Sequence, residues 1–326
     1  MMGFYPFLKI TFLKSLAYKH LLKTPLFARL CIPDKIFNIK FSTYTLMPEL
    51  PEVETIVREL NEALIIGKKI EKCHVYWHKI IDTSDAEEFT QKIEHQIIKK
   101  IERRGKYLVF TLSHYTLLVH LRMTGKFEII SPKAPVKKHE HVRLIFSDLT
   151  ALRYEDTRKF GRWSLFEDAT EKMSQLGLEP LSSSFTLGAL EALLTKHSAQ
   201  IKPFLLNQKH IAGLGNIYVD EALWEAKLHP QRSTQSLKKS EIKELHHAIQ
   251  KVLQVGVKNL GTSLGTGQAN YYSVSGRRGG HQHHLNVFRQ NGRKCPRCQS
   301  VIVKTVVAQR GTHFCPTCQQ IGSSYG

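Results

Sequence analysis

Four of the six cysteines fall within 24 residues, Cys295, Cys298, Cys315 and Cys318, as CPRC and CPTC sixteen residues apart. Two C-x-x-C knuckles at this spacing make a tetrahedral four-thiolate zinc site. Four thiolates leave no open coordination position, so such a zinc folds its module and performs no chemistry. The intervening VIVKTVVAQRGTHF predicts a hairpin with Arg310–Gly311 near its turn. An arginine there either probes a groove or phosphate, or is a solvated turn residue. Cys31 and Cys73 stand alone, so the cysteines do not form a disulfide framework, and a reduced compartment is expected.

A second group is MPELPEVE, residues 47–54. Glu49, Glu52 and Glu54 sit beside two prolines at the start of a helical pattern. One reading is compensation of a helix dipole by acids in the first turn. The other requires Pro48 to be the first residue. Its secondary α-amine would then have a pKa well below that of lysine and be partly unprotonated at neutral pH. Such an amine attacks a sugar C1′ and collapses to an iminium, which is covalent catalysis. Glu49 would be placed for proton transfer.

A third group is four basic segments with aromatic or apolar residues between the charges: Arg103–Leu108, His120–Phe127, Lys137–Arg143 and Asp156–Trp163. Singly, each is a solvated turn. Together they suggest a surface that tracks phosphates. Met123 and Phe160 lie in polar contexts, where they either pack in a core or act as wedges between bases. In IAGLGNIYVDEALW, Gly213 and Gly215 lead into Asn216, read as the N-cap of a following helix. That turn is either a phosphate site or a plain elbow.

The elements that must carry these groups follow from periodicity. Val53, Ile56, Val57, Leu60 and Leu64 recur at three- and four-residue spacing, which predicts a helix from Pro51. Short strand-like runs follow at 69–77, 96–102, 106–112, 116–121, 126–130, 141–146, 151–154 and 163–166, predicting a β-sandwich or barrel. After Pro180 the pattern turns helical at 187–195, 217–226 and 240–258. Residues 261–280 are Gly-rich without apolar periodicity and read as a mobile loop.

The 326-residue chain is 42% hydrophobic and 23% charged, as a globular protein is. It has no run of 18 uncharged apolar residues, so no membrane-spanning helix is expected. The first 46 residues hold seven Lys or Arg and one acid, a net +6, so +13 of the +19 belongs to residues 47–326. That field points to a polyanionic partner. The basic, acid-poor start fits either an organelle presequence or a translated upstream region, and it lacks the apolar core of a secretory signal.

In their order, PELPEVET, RRGKYL, HLRMTG, RKFG, AGLGNIYVDEALW and the finger ending AQRGTHFCPTCQ resemble the formamidopyrimidine-DNA glycosylases, from Met47 to about Gln320. The resemblance implies an α+β protein of two main domains. A β-sandwich with flanking helices (47–180) would precede a helix-two-turn-helix domain with a lesion-side loop (181–290) and a β-hairpin zinc finger (291–326), with residues 1–46 outside the family. It implies excision of oxidised purines (8-oxoguanine and formamidopyrimidines) from double-stranded DNA, then β,δ-elimination at the abasic site. Pro48 would be the nucleophile and Glu49 the acid/base. Lys106 would be the proton donor for β-elimination, and Arg310 that for δ-elimination. His139, Arg158, Lys202 and Asn216 would contact DNA, and Met123, Arg158 and Phe160 would fill the gap left by the extruded base. One structural zinc and a bacterial cytoplasmic location beside the nucleoid are implied, or an organelle if residues 1–46 are a presequence, and a monomer is expected because no heptad or obvious apolar patch argues otherwise.

Two alternatives stand beside this. One is the endonuclease VIII branch of the superfamily, which prefers oxidised pyrimidines. The other is a non-catalytic DNA-binding protein, if residues 1–46 stay attached and Pro48 remains an internal amide.

Overall fold

The computed structural model describes residues 47–264 and 271–321. Expectations for residues 1–46 and for the centre of the Gly-rich loop lie outside those residues.

The chain opens with helix α1 (Leu50–Glu62). The Glu49 backbone N–H donates to Glu52 Oε2 at 2.8 Å, closing the first turn, where Pro51 sacrifices no hydrogen bond. Leu64 lies beyond the helix end, with φ of 56° and a mostly exposed side chain, so it is not part of the apolar stripe. Eight strands follow: β1 (Ile70–Val75), β2 (Ile98–Arg104), β3 (Tyr107–Leu112), β4 (Thr116–His120), β5 (Gly125–Ile130), β6 (Glu140–Phe146), β7 (Ala151–Asp156) and β8 (Arg162–Phe166). They form two antiparallel four-stranded sheets, ordered β1-β6-β7-β5 and β2-β3-β4-β8. Val53, Ile56 and Leu60 of α1 join Phe110, Phe127, Tyr154 and Trp163 in the shared core. Helix α2 (Ala86–Ile93) seals it with Phe89 and Ile93. The sequence reading placed no element here; Asp85 caps the helix start, its carboxylate accepting from the Glu88 N–H at 2.8 Å.

The second half is helical: α3 (Thr170–Ser174), α4 (Leu187–Thr195), α5 (Ile201–Leu206), α6 (Asn216–Glu225) and α7 (Lys239–Lys258). A second core gathers Leu190, Phe204, Ile217, Leu223, Leu245, Ile249 and Leu253. Leu50 belongs to this core, while the rest of the α1 stripe belongs to the first. The first helix therefore spans both cores. Helix α7 begins one residue before the expected Ser240, because the Glu241 carboxylate caps the Lys238 N–H at 2.8 Å. Strands β9 (Val303–Val307) and β10 (Arg310–Phe314) form the expected hairpin. Its two turn residues, Ala308 and Gln309, both have positive φ, the two-residue turn that suits a twisted hairpin.

The Gly-rich loop needs correction over its described part. Tyr271 and Val274 are buried in the sandwich core. Glu59 of α1 accepts from Ser275 N, Ser275 Oγ and Arg277 Nη2 at 2.7–3.0 Å. Residues 271–277 are thus fastened to α1 by two apolar plugs and a carboxylate, an anchoring that has no period for a sequence to display.

Candidate active site and DNA-facing surface

The carboxylate of Glu49 lies at the N-terminus of α6, 168 residues away in sequence. Its Oε1 accepts from Ile217 N at 3.0 Å and its Oε2 from Tyr218 N at 3.4 Å. These are unpaired first-turn donors, and the positive end of the helix dipole favours a carboxylate there. Gly215 makes room for it. A Cβ at that position would stand 2.3 Å from Glu49 Cδ. Asn216 is therefore not the N-cap. Gly215 occupies that position, Glu49 supplies the capping oxygens, and Asn216 is the first helical residue.

Burial pushes the Glu49 carboxyl up to about 7. The charge of Lys106 draws it back and that of Glu52 raises it further. Lys106 is itself buried, which lowers its pKa from the usual lysine value, while Glu49 and Glu52 oppose that fall. Glu52 accepts from Tyr218 Oη at 2.9 Å, Thr262 N at 2.6 Å and Glu49 N at 2.8 Å. Pro48 is buried beside this group. The site thus unites an acid and a base that both titrate nearer neutrality than usual, adjoining the residue whose amine is the candidate nucleophile.

Arg310, the exposed first residue of β10, is close enough to lower the pKa of Lys106. The next residue fixes the hairpin against α6: Gly311 O accepts from Asn216 Nδ2 at 2.9 Å and from Lys202 Nζ at 3.2 Å. Lys202 is wholly buried and paired with Asp220 Oδ1 at 2.6 Å, supporting the hairpin from beneath while its ammonium feels the charges of Glu49 and Arg310.

His139 is half-buried before β6, and Arg158 and Phe160 are exposed in the β7–β8 turn. The Arg158 guanidinium lies over the Phe160 ring, 4.7 Å from its centroid. Met123 is half-buried and belongs to no apolar core, so both wedge candidates are surface residues. The basic segments divide differently from the sequence expectation. Arg103 binds Glu54 and Glu179 at 2.8 and 2.6 Å, Arg104 binds Glu179 and the carbonyls of Leu176 and Gly177, and Arg143 binds Glu140. These arginines brace the interior, leaving Arg122, Lys137, Lys138, Arg158 and Lys159 as exposed charges of those segments, with Lys137 paired to Glu128 and Glu155.

Three family models match the chain in order. The formamidopyrimidine-DNA glycosylase N-terminal domain matches residues 47–163, the H2TH domain of the same enzymes residues 176–267, and a zinc finger found in FPG and IleRS residues 292–321. The formamidopyrimidine-DNA glycosylase of Protochlamydia amoebophila is 46% identical over 275 residues, covering 84% of this chain and all of that protein. The chain belongs to the formamidopyrimidine-DNA glycosylase family.

A relative from Enterococcus faecalis is also 46% identical, over 84% of this chain and 98% of its own length. Among solved structures, a mutant of the Lactococcus lactis enzyme in complex with DNA containing Fapy-dG superposes with a TM-score of 0.77 at 42% identity. MutM in complex with DNA containing carbocyclic 8-oxo-G gives 0.76 at 41%. Each alignment covers 84% of this chain and 100% of the solved one.

The family's zinc finger is borne out by the donor set. The four cysteine sulfurs lie within 4.8 Å of one another, with Cys298–Cys315 at 3.4 Å and Cys295–Cys318 at 4.0 Å. A tetrahedron with Zn–S near 2.3 Å has sulfurs about 3.8 Å apart. Trp224 Nε1 and Cys318 N donate to Cys295 and Cys315 sulfurs at 3.4 Å, as suits thiolates. These cysteines hold one structural zinc. Metal analysis of the pure protein should return one zinc per chain. Cys298→Ser or chelation should abolish DNA binding, because binding of the metal is what folds so small a module. A zinc-free protein that binds DNA normally would contradict this.

Sequence reasoning missed Glu179, Asp220, Glu221 and Asp156. Glu179, Asp220 and Glu221 have partners far away in sequence, and Asp156 joins near partners to Thr124, 32 residues away. Glu221, for example, accepts from the backbone of Asn286, Val287 and Phe288 at 2.8–3.1 Å, fastening the chain that enters the zinc module.

Proposed function

We propose that this chain removes oxidised purines from duplex DNA and cleaves the resulting abasic strand through a Schiff base on Pro48. The observation that carries the assignment of residues is the buried carboxylate of Glu49 at the α6 N-terminus, next to Pro48 and beside Lys106. The damaged nucleotide must leave the stack before its C1′ is reachable. The Pro48 nitrogen lone pair then bonds to C1′, the bond from C1′ to the base breaks, and the base departs with a proton. Opening of the sugar ring, with a proton supplied to O4′, gives the iminium. The iminium acidifies C2′, so loss of that proton expels the 3′ phosphate, with Lys106 serving proton transfer. A second elimination, served by Arg310, expels the 5′ phosphate, and water releases the remaining sugar fragment from Pro48.

Met123, Arg158 and Phe160 are assigned to the vacated helix position, His139 and Asn216 to DNA contact. We take the domains as 47–180, 181–290 and 291–326, the molecule as a monomer, and the workplace as a bacterial cytoplasm beside the chromosome, since the curated relatives are bacterial. Among the described residues no helix is long and apolar enough to cross a membrane. The reading as a mere DNA-binding protein has one specific support: with residues 1–46 attached, Pro48 is an amide without a nucleophilic lone pair.

Excision of 8-oxoguanine from a duplex, followed by strand scission, tests the activity, and oxidised pyrimidines test the alternative specificity. Affinity for a lesion duplex should fall steeply and linearly on logarithmic axes as salt rises, because a body of +13 releases counterions on binding. Arg158→Ala should weaken binding more than Lys243→Ala on the exposed face of α7. A flat salt titration would remove DNA as the partner.

A further inference from the structure

The two turns assigned to the vacated helix position are both under backbone strain. Arg122, immediately before Met123, has φ of 53°, and Lys159, immediately before Phe160, has φ of 59°. Neither is glycine, and such residues persist in the left-handed region only where their surroundings fix them. One side chain joins the two turns. Asp156, at the end of β7, is fully buried. Its Oδ1 accepts from the Thr124 hydroxyl, next to Met123, and from Arg158 N at 3.1 Å. Its Oδ2 accepts from Gly161 N at 2.7 Å, next to Phe160. Thr124 Oγ1 in turn accepts from Arg158 N at 3.1 Å.

The backbone of the same residue reaches the third DNA-facing element. Asp156 N donates to His139 O at 2.9 Å, and Asp156 O accepts from His141 Nε2 at 2.7 Å. The glycines that close the two turns are clamped as well. A Cβ on Gly125 or Gly161 would stand 2.2 or 1.9 Å from the Tyr154 hydroxyl. Asp156 therefore holds Met123, Arg158 and Phe160 as one rigid unit by hydrogen bonds that a merely packed residue would not make.

We propose that Asp156 is a positioning residue for lesion recognition, fixing the two turns so that their side chains enter the helix as one preformed plug. A buried carboxylate is suited to this because all its partners are N–H or O–H donors. Asparagine has nearly the same shape, yet its amide presents two donors where the site supplies donors already. A preformed plug spends no ordering entropy when it offsets the loss of stacking at the gap. Undamaged DNA offers no gap, so it gains nothing from the plug.

The proposal rests on the DNA-repair reading, and its test uses binding alone, so no step depends on the identity of the nucleophile. Full-length protein, Asp156→Asn and Thr124→Val are titrated against a duplex carrying a tetrahydrofuran abasic analogue and against the same duplex undamaged. For Asp156→Asn the preference for the gapped duplex should fall about tenfold, as expected for loss of hydrogen bonds to a charged group. Affinity for the undamaged duplex should stay within about twofold, because charge at the DNA surface is unchanged. Thr124→Val removes one of the links and should lose part of the preference. Equal loss on both duplexes, or full retention of the preference, overturns the tether. A parent protein with no preference for the gap overturns the repair reading, and the tether with it.

Discussion

A chain that begins at Pro48 should be captured covalently on 8-oxoguanine duplex by borohydride, and a chain that begins at Met1 and stays uncut should not. Only a terminal proline carries the amine that the Schiff base requires. The expected effect is all or none, because an amide nitrogen offers no lone pair for attack at C1′. Two expression products, one started at Met1 and one at Met47, answer it when the mass of each is measured before and after reaction. Initiator methionine is removed before proline, so the second product exposes Pro48. An intact long chain that still traps DNA would move the nucleophile to a lysine, and Lys106 is the first to replace, since burial beside Glu49 already lowers its pKa.

Glu49→Gln in the trimmed protein should bind lesion duplex nearly as the parent does and lose base release by about 10²–10⁴. The amide keeps the shape, and its oxygen still accepts from Ile217 N. What disappears is a buried carboxyl poised at about 7 next to the candidate amine, the group placed for proton transfer. An acid and an amine so placed exchange a proton, and catalysis needs one of them to hold it. The reactive pair holds a single proton. Parent activity should therefore climb as pH rises through about 7 and fall when the last proton leaves. The residual activity of the glutamine variant should lack the falling limb, because only the amine then titrates. The stability sign is opposite to that of an ordinary salt-bridged acid. A carboxyl raised by burial from 4.5 to about 7 favours the fold while protonated, and that contribution is lost as pH rises from the first value through the second. Near-normal excision by this variant would transfer the role to Glu52.

The sequence displayed the elements whose signal is local. Short alternating or apolar runs marked all eight sandwich strands, the spacing of Val53, Ile56, Val57 and Leu60 marked α1, and C-x-x-C spacing marked the metal site. Local patterns also brought Pro48, Glu49, Lys106 and Arg310 forward as candidates, with help from the family resemblance. Partnership between distant charges left no such trace. Arg103 and Arg104 look like surface cations until Glu179 is seen between them. Nothing near Lys202 in the sequence announces that its ammonium is buried against Asp220. Asn216 resembles a cap until a carboxylate from another part of the chain occupies that place. In each case the deciding contact spans 18 to 168 residues, beyond the reach of periodicity.

Helix α6 is only ten residues long, about 15 Å of rod. Its first turn grips the Glu49 carboxylate, Asp220 grips Lys202 and the His313 backbone, Glu221 grips residues 286–288, and Trp224 touches a metal-site sulfur. Chemistry and metal therefore share a common mount. A molecule that forfeits its zinc is expected to loosen the far end of the same rod whose first turn holds the Glu49 carboxylate, so that loss of metal and loss of activity should come together.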